Sequence, residues 1–161
     1  MIGVLTIRPS GRDDLAAVDA LLARAYPRLL KADYAPSVLV TALPIIARAR
    51  PELVGCGTYY LAECDDALVG AGGWTRQWSP GAAEVRHLVC DDRRVRQGIG
   101  RALMARILAD AMAAGVTRLG CQATLTAVPF YQAMGFTVIG AIEVPLRPGI
   151  VFPAVAMQRM L

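Results

Sequence analysis

Apolar side chains recur along the chain with two periods, one typical of helices and one of strands. The helical period is clearest after Ser10, where one helical face carries Leu15, Val18, Leu22 and Ala25. We expect the helix to begin after Ser10, because the side chains of Ser10 and Asp13 can bond free amides of its first turn as a capping box. Residues 36–49 predict a second helical segment, bent or broken near Pro44 and ended by Pro51.

Strands are predicted where apolar and polar residues alternate, or where a short apolar run is bounded by turn residues. They cover residues 2–8, 58–63, 69–74, 83–90 and 118–123, a strand starting at Phe136, and residues 152–159. A hairpin turn is expected at residues 64–66, a further helix at residues 101–115, and a short helix within residues 127–136 that runs into the strand at Phe136. This order indicates an α/β (α+β) fold with a mixed, largely antiparallel sheet flanked by helices.

The chain has 161 residues without a repeat or a low-complexity linker, so we expect one domain over residues 1–161. The last strand, residues 152–159, is expected at a sheet edge, where free backbone groups can pair with a second copy. This strand is therefore a candidate homodimer interface, although the sequence fixes no oligomeric state.

Residues 93–101 read Arg-Arg-Val-Arg-Gln-Gly-Ile-Gly-Arg, between a predicted strand and a predicted helix. Gly98 and Gly100 lack a Cβ, so the backbone can turn there and bring its amides close to a ligand. The helix that follows has an apolar stripe of Leu103, Ile107 and Ala111. Because a helix start offers unpaired amides and partial positive charge, the segment predicts a pyrophosphate site. An ordinary glycine-containing turn is the alternative.

Two better-known phosphate loops do not fit this segment. A Walker A loop needs Gly-Lys-Ser/Thr, and the only lysine of the chain is Lys31. A dinucleotide fingerprint needs a third glycine where Leu103 stands. The net charge of +4 is concentrated near the same segment, since residues 86–101 hold five arginines against Asp91 and Asp92. This favours a small polyphosphate ligand over a nucleic acid, and no aromatic-basic interleaving supports the latter.

The remaining composition argues for a metal-free protein of a reducing compartment. Its four cysteines form no Cys-x-x-Cys pair and only one histidine accompanies them, so neither a metal site nor a disulfide framework is expected. We expect a cytoplasmic protein, since residues 1–8 read as a strand and show no signal pattern. The longest uncharged span, residues 119–142, contains polar residues and is interrupted by Pro129, Gly135 and Gly140, so no membrane helix is expected.

A second motif points to a family. Residues 127–136 read Ala-Val-Pro-Phe-Tyr-Gln-Ala-Met-Gly-Phe and match Ala-x-x-Phe-Tyr-x-x-x-Gly-Phe. Together with the glycine-arginine segment, in this order and at this separation, the motif resembles the GNAT superfamily of acyl-CoA-dependent N-acetyltransferases. The family's loop pattern is Arg/Gln-x-x-Gly-x-Gly/Ala, and Val95 departs from its first position. Thr124 stands where the family often has Asn.

The resemblance implies a seven-stranded sheet in which the fourth and fifth strands run parallel and splay apart, so that the pantetheine arm of acetyl-CoA enters between them. The implied cofactor-binding residues are Leu88, Val89 and Cys90 beside the thioester, and Arg96, Gln97, Gly98, Ile99, Gly100 and Arg101 around the pyrophosphate. Tyr131 is implied to protonate the departing sulfur of coenzyme A. Simple packing of Tyr131 beside the cofactor arm is its alternative role.

The general base is left open between Glu84 and His87. Alternation along their strand places the two side chains on opposite faces. Glu84 as a surface ion pair with Arg76 or Arg86, and His87 as a half-buried strand residue, are the structural alternatives. The resemblance implies an acceptor pocket built by residues 26–36, the fourth strand and residues 143–153, with Tyr34, Trp74 and Trp78 as candidate walls.

The expected reaction is transfer of an acetyl group from acetyl-CoA to a primary amine of a small molecule or peptide, by direct attack in a ternary complex. With few acids near the expected pocket, a small or monocationic amine is favoured over a polycation. No metal is expected. The alternative function is a non-catalytic acyl-CoA-binding regulatory or interaction module.

Overall fold

Seven strands form one sheet in the computed structural model of the protein, which describes residues 3–161. They are β1 (Leu5–Pro9), β2 (Tyr59–Cys64), β3 (Ala67–Arg76), β4 (Ala82–Cys90), β5 (Arg118–Ala123), β6 (Thr137–Arg147) and β7 (Ile150–Met160). Their order across the sheet is β1-β2-β3-β4-β5-β7-β6. Among these pairs β4 and β5 run parallel and the others antiparallel, which confirms the predicted mixed sheet. Met1 and Ile2, where the first strand was expected to begin, lie outside the described residues.

Five α-helices flank the sheet, namely α1 (Leu15–Leu30), α2 (Pro36–Ile46), α3 (Pro51–Val54), α4 (Ile99–Ala113) and α5 (Val128–Ala133). The second helical segment differs from its prediction. Pro44 lies inside α2, which ends two residues later at Ile46. Pro51 begins α3 instead of ending a helix, because the first helical position needs no amide hydrogen bond and suits the fixed φ of proline.

The predicted Ser10–Asp13 capping box is wrong. Ser10 is buried, and its Oγ donates to the carbonyl oxygen of Val54 at 2.6 Å. The turn before α1 is capped one residue later, where the Asp14 carboxylate accepts the Gly11 amide at 2.8 Å and the Asp14 amide donates to the Gly11 carbonyl at 2.9 Å. A tertiary contact with the end of α3 has therefore taken the hydroxyl that the local pattern assigned to the cap.

Each face of the sheet has its own core. On one face α4 and α5 pack with Leu103, Ile107 and Ala111 fully buried, which confirms the stripe expected for α4. On the other face α1 and α3 pack through Val18, Leu22 and Ala25, with Leu15 at the margin. A third cluster joins α2 to the β6–β7 hairpin and contains Leu30, Tyr34, Leu39, Ala42 and Phe152. Burying each large aliphatic side chain contributes about 1.5–3 kcal/mol.

The expected edge position of the last strand is wrong. β7 lies between β5 and β6, paired with both along most of its length, and β6 is the edge strand. The chain returns from β6 by a hairpin and inserts β7 next to β5, so the unpaired backbone belongs to the preceding strand. Among the helices described for residues 3–161, none has the length and apolar character needed to cross a bilayer.

Candidate functional site

The sheet opens between β4 and β5. The two strands pair only at Ala82–Arg118, Ala83–Leu119 and Glu84–Gly120. Beyond Glu84, the strand continues to Cys90 in register with β3 alone. Leu88, Val89 and Cys90 therefore lie in the half of β4 that has a paired neighbour on one side only. Backbone groups directed to the open side are available to a ligand that enters between the strands.

A β-bulge interrupts β4 inside this opening. Ala71 is opposite Val89 and Gly73 is opposite Arg86, so two residues of β4 face the single position between them on β3. One of those two residues is His87, which has a φ of 41°. Before the bulge the odd-numbered Val85 packs on the α4 side, whereas after it Val89 packs on the α1 side. The expectation that Glu84 and His87 face opposite ways assumed unbroken alternation, and the bulge removes that basis.

The glycine-arginine segment forms a turn that leads directly into α4. Arg96 and Gly98 have φ values of 63° and 82°, and Gly98 is the N-cap of the helix. Ile99 is fully buried and anchors the helix start, while Arg96, Gln97 and Arg101 are exposed. The first amides of α4 have no partner within the helix itself. The turn thus has the left-handed conformations and the exposed cations that were expected of an anion cradle.

Gly100 is required by close packing and not by its backbone conformation. A Cβ at this position would lie 3.0 Å from Cε1 of Phe130 and 3.3 Å from Sγ of Cys90. The helix start therefore fits tightly against α5 and the end of β4. Gly98 differs, because a Cβ there would meet no atom within 4 Å and only its positive φ favours glycine.

Asp91 holds this turn in place, a role that the sequence reasoning missed. The side chain is 2% exposed and accepts the Arg93 amide at 2.9 Å. It also forms ion pairs with Arg24 of α1 at 2.9 Å and with Arg93 at 3.2 Å. Burial by itself would raise the pKa of Asp91, but the hydrogen bonds from Arg93 and the charge of Arg24 hold that pKa below its usual value. An acid directly after a strand and before an arginine run is the signal that could have revealed it.

Tyr131 is buried at the start of the opening, on α5. Its ring makes edge contacts with Phe130 and Phe136, at centroid distances of 5.4 and 5.2 Å. Within residues 3–161 its hydroxyl has no hydrogen-bond partner. Burial raises the pKa of Tyr131 well above 10, and the nearby Cys121, Tyr26, Cys90 and Glu84 raise it further. The phenol therefore keeps its proton at neutral pH and can donate it.

Glu84 lies in the same neighbourhood. The residue is 9% exposed, and its Oε2 accepts a hydrogen bond from Nε2 of Gln77. Within the described part of the chain it forms no ion pair. Arg76 binds the carbonyl of Ala114, and Arg86 binds the hydroxyl of Thr75. The interpretation of Glu84 as a surface ion pair is therefore wrong. Glu84 is opposite Gly120 in the last β4–β5 pair before the strands separate, so it lies where the opening begins. Its charge helps to raise the pKa of Cys121, the next residue of β5.

His87 is partly buried and faces cations. Burial, followed by the charges of Arg50 and Arg86, lowers its pKa to about 4. Its carbonyl oxygen accepts a hydrogen bond of 2.9 Å from the hydroxyl of Tyr59. The imidazole is therefore neutral at pH 7, in agreement with the half-buried strand residue that was one of its two interpretations.

Tyr34 ties together the segments expected to form the acceptor pocket. Its hydroxyl donates to the Pro153 carbonyl at 2.6 Å and accepts the Leu125 amide at 2.9 Å. Its ring stacks on Phe152 with a centroid distance of 4.6 Å. The α1–α2 connection, the β5–α5 connection and the β6–β7 hairpin therefore meet at one side chain.

The two tryptophans expected at the pocket have different positions. Trp74 is buried in the core on the α4 side and donates to the hydroxyl of Tyr60 at 3.1 Å, so its expected place in the pocket wall is wrong. Trp78 is 99% exposed, in the turn between β3 and β4. Thr124 accepts the Ala127 amide at 3.2 Å and thus caps the turn before α5.

One groove of the surface lies outside the opening. It has a volume of about 530 Å³ and runs between α4 and the end of α5, reaching the loop only at Arg101. It does not coincide with the opening between β4 and β5. In residues 3–161, no three potential ligands cluster in a way that would hold a metal ion, and no disulfide joins the cysteines.

Two solved structures share this architecture over nearly their full length. The PaiA N-acetyltransferase of Thermoplasma acidophilum, solved with coenzyme A, superposes with a TM-score of 0.78 over 98% of this chain and 99% of its own, at 14% identity. A GCN5-related N-acetyltransferase from Rhodopseudomonas palustris gives the same TM-score over 100% and 99% of the two chains, at 18% identity. At such identities the likeness concerns the fold. No curated protein sequence matches the chain significantly.

A sequence profile described as "Acetyltransferase (GNAT) domain" matches residues 44–154, which is more than half of the chain. The matched region includes the opening between β4 and β5, the glycine-arginine loop and α5. The seven-stranded sheet with its parallel, diverging central pair agrees with that match. The chain therefore belongs to the GNAT acetyltransferase family, a membership that implies acyltransferase activity.

Proposed function

We propose that the protein transfers the acetyl group of acetyl-CoA to a primary amine of a small molecule or peptide, by direct attack in a ternary complex. The observation that carries the proposal is the opening between β4 and β5. One end of it meets the loop at the start of α4, and Tyr131 and Glu84 lie along it. Two structural neighbours were solved with coenzyme A, the PaiA enzyme and the N-acetylglutamate synthase of Neisseria gonorrhoeae.

The loop is suited to the pyrophosphate of coenzyme A. Its candidate ligands are the backbone amides and side chains of Arg96, Gln97, Gly98, Ile99, Gly100 and Arg101. Within residues 3–161, neither Arg96 nor Arg101 has an ion-pair partner, whereas Arg93 is neutralised by Asp91. The loop therefore presents two free guanidinium groups beside a helix start, a combination that favours a dianionic group.

The pantetheine arm and the thioester would lie against the second half of β4. There the amides of Leu88, Val89 and Cys90 are candidates to bind the arm and the thioester oxygen. Attack by an amine turns the carbonyl oxygen into an oxyanion, so a fixed donor at this position lowers the barrier. A well-aimed donor of this kind contributes about 3 kcal/mol.

Tyr131 is the candidate acid for the departing sulfur. Burial raises the pKa of the Cys90 thiol to about 11 and that of Cys121 to about 12 in the same neighbourhood. The coenzyme A thiolate would be destabilised there for the same reason, so it benefits from a proton donor. The Tyr131 hydroxyl has no competing partner in the described part of the chain, and its raised pKa keeps it protonated until the sulfur needs the proton.

Glu84 is the favoured base, directly or through water. Its charge acts on both Tyr131 and Cys121, whereas His87 responds to Arg50 and Arg86. In the transfer step, the amine nitrogen forms a bond to the acetyl carbon and the carbon–sulfur bond of the thioester breaks. The nitrogen gives a proton to Glu84, and the sulfur takes one from Tyr131. The products are the N-acetylated amine and coenzyme A.

Two measurements test the proposal together. Calorimetry with coenzyme A and acetyl-CoA should show binding, and thiol release from acetyl-CoA should depend on an added amine across a broad panel. No binding at millimolar coenzyme A would contradict the whole assignment. Binding without amine-dependent thiol release would instead favour the non-catalytic module.

A further inference from the structure

Arg86 projects from the same face of β4 as Glu84. Val85, which lies between them, packs in the core on the α4 side, so its two neighbours point to the opposite face. Thr75 of β3 is opposite Glu84 in the register. Its hydroxyl accepts a hydrogen bond of 2.9 Å from Nε of Arg86. The Cα atoms of Glu84 and Arg86 lie about 6.5 Å apart along the strand, so the two side chains are neighbours on one face of β4.

The terminal nitrogens of Arg86 are unused. In residues 3–161 neither of them has a hydrogen-bond or ion-pair partner, and Glu84 is bonded to Gln77 and not to Arg86. The hydrogen bond to Thr75 holds Nε of the guanidinium in place and leaves the two terminal nitrogens free to donate. Such a pair of donors matches a carboxylate or another planar anion. An arginine is only partly buried here, and its donors remain accessible to a ligand.

A second cation acts on the same region. Arg50, from the connection between α2 and α3, contributes with Arg86 to the low pKa of His87. Arg50 uses its Nε on Glu52, which is 68% exposed, and that pairing is weak in water. The surroundings of His87 therefore have positive potential, to which both Arg50 and Arg86 contribute.

We propose that the acceptor is an amine that also carries a carboxylate, such as a free amino acid, with its amine at Glu84 and its carboxylate on Arg86. The inference rests on the proposed acetyl transfer and adds the substrate class. Glu84 and Arg86 share one face of β4 with their Cα atoms about 6.5 Å apart, so one side chain can bind the amine of such a zwitterion and the other its carboxylate.

The activity test uses matched trios of acceptors, each an amino acid, its carboxamide and its decarboxylated amine, with acetyl-CoA at saturation. For acceptors that react, we expect kcat/KM of the acid to exceed that of the amide by about 10- to 100-fold, the range of a charged hydrogen bond. Arg86→Gln should remove this preference and Arg86→Lys should restore part of it. Arg118→Gln, an exposed arginine of β5, is the matched control and should keep the preference. Amides or decarboxylated amines that react as well as the acids would overturn the proposal.

A binding test needs no turnover. The chain has one histidine, so the imidazole resonances of His87 report on this region alone. In the complex with coenzyme A, an amino acid should shift these resonances saturably and raise the pKa of His87, because its carboxylate offsets the two arginines. The carboxamide should not do so, and Arg86→Gln should abolish the effect. If no acid in the set perturbs His87 while coenzyme A binds normally, the substrate class is wrong and the proposed cofactor site stands.

Discussion

The proposed cofactor loop and the proposed acceptor side of the opening are built in different ways. The loop uses eleven consecutive residues, 91–101, and its shape follows from their own backbone angles and from one buried aspartate. The proposed acceptor side combines Glu84 and Arg86 of β4 with Tyr34, Arg50 and Phe152 from three other segments, and Tyr34 is held to the last strand by long-range contacts. In this assignment the cofactor loop depends mainly on residues that are neighbours in the sequence, with support from Arg24 and Phe130, whereas the acceptor side depends on how distant elements meet.

Gly100→Val is the most severe test of the proposed cofactor loop. The branched side chain cannot fit where a Cβ would already lie 3.0 Å from Phe130, so the helix start must move. We expect affinity for coenzyme A, measured by calorimetry, to fall about 100-fold or more, because the backbone amides at the start of α4 would no longer point at the pyrophosphate. Gly140→Val is the control, because a Cβ there meets nothing within 4 Å. Unchanged affinity in Gly100→Val would separate the loop from cofactor binding.

Tyr131→Phe tests the chemistry where the two sides meet. Removal of the hydroxyl should lower turnover about 100-fold at saturating substrates, because the thiolate then leaves the apolar site without a proton donor. Affinity for coenzyme A should change little, since the ring contacts with Phe130 and Phe136 remain. Wild-type turnover in Tyr131→Phe would mean that Tyr131 only packs beside the cofactor arm.

The low pKa of His87 predicts a pH-dependent loss of stability on the acceptor side. The folded protein has a His87 pKa of about 4, below the usual 6.5 of an unfolded chain, so the unfolded state binds the proton first as pH falls. Stability from this group is complete above pH 6.5 and should decline by about 2 kcal/mol toward pH 4, after allowance for partial exposure. Denaturant unfolding of the wild type and of His87→Gln should diverge over that range. Parallel curves would contradict the low pKa.

Tyr34→Phe tests the proposed acceptor side and leaves the proposed cofactor loop, residues 91–101, unchanged. It removes the hydrogen bonds to Pro153 and Leu125 and should cost about 2 kcal/mol of the free energy of unfolding. The KM for the acceptor should rise while the affinity for coenzyme A stays constant. Tyr60→Phe is the matched control on the α4 side, since its hydroxyl also makes two hydrogen bonds, with Asp110 and Trp74. If Tyr60→Phe raises the acceptor KM equally, the effect is general destabilisation.

Gly98→Ala should have the smallest effect. Its φ of 82° costs an alanine about 1 kcal/mol of stability, but no atom lies in the way of the new Cβ. Gly98→Asn should recover part of that loss, because asparagine tolerates the left-handed region better. Thermal unfolding of the two variants measures the difference. A loss in Gly98→Ala as large as in Gly100→Val would mean that packing, and not φ, explains both glycines.

The elements that were predicted well are those whose pattern is repeated over several residues. Helix α4 shows its apolar stripe in the sequence, and β5 has the bounds that were expected for it. Single side chains were harder to predict. Ser10 looked like a cap and became a buried tie to α3, and Trp74 looked like a pocket wall and became core. Their partners are tens of residues away, so no local pattern records the contact.

Within the candidate site the same division holds. The glycines and arginines of residues 93–101 predict a turn and an anion cradle, because backbone freedom and charge are properties of the residues themselves. Three other features depend on which strands and helices lie next to β4. They are the β-bulge at His87, the ion pair between Asp91 and Arg24, and the unbonded terminal nitrogens of Arg86. Local propensity and charge are encoded residue by residue, whereas the partner of a buried polar group is chosen only when distant segments pack.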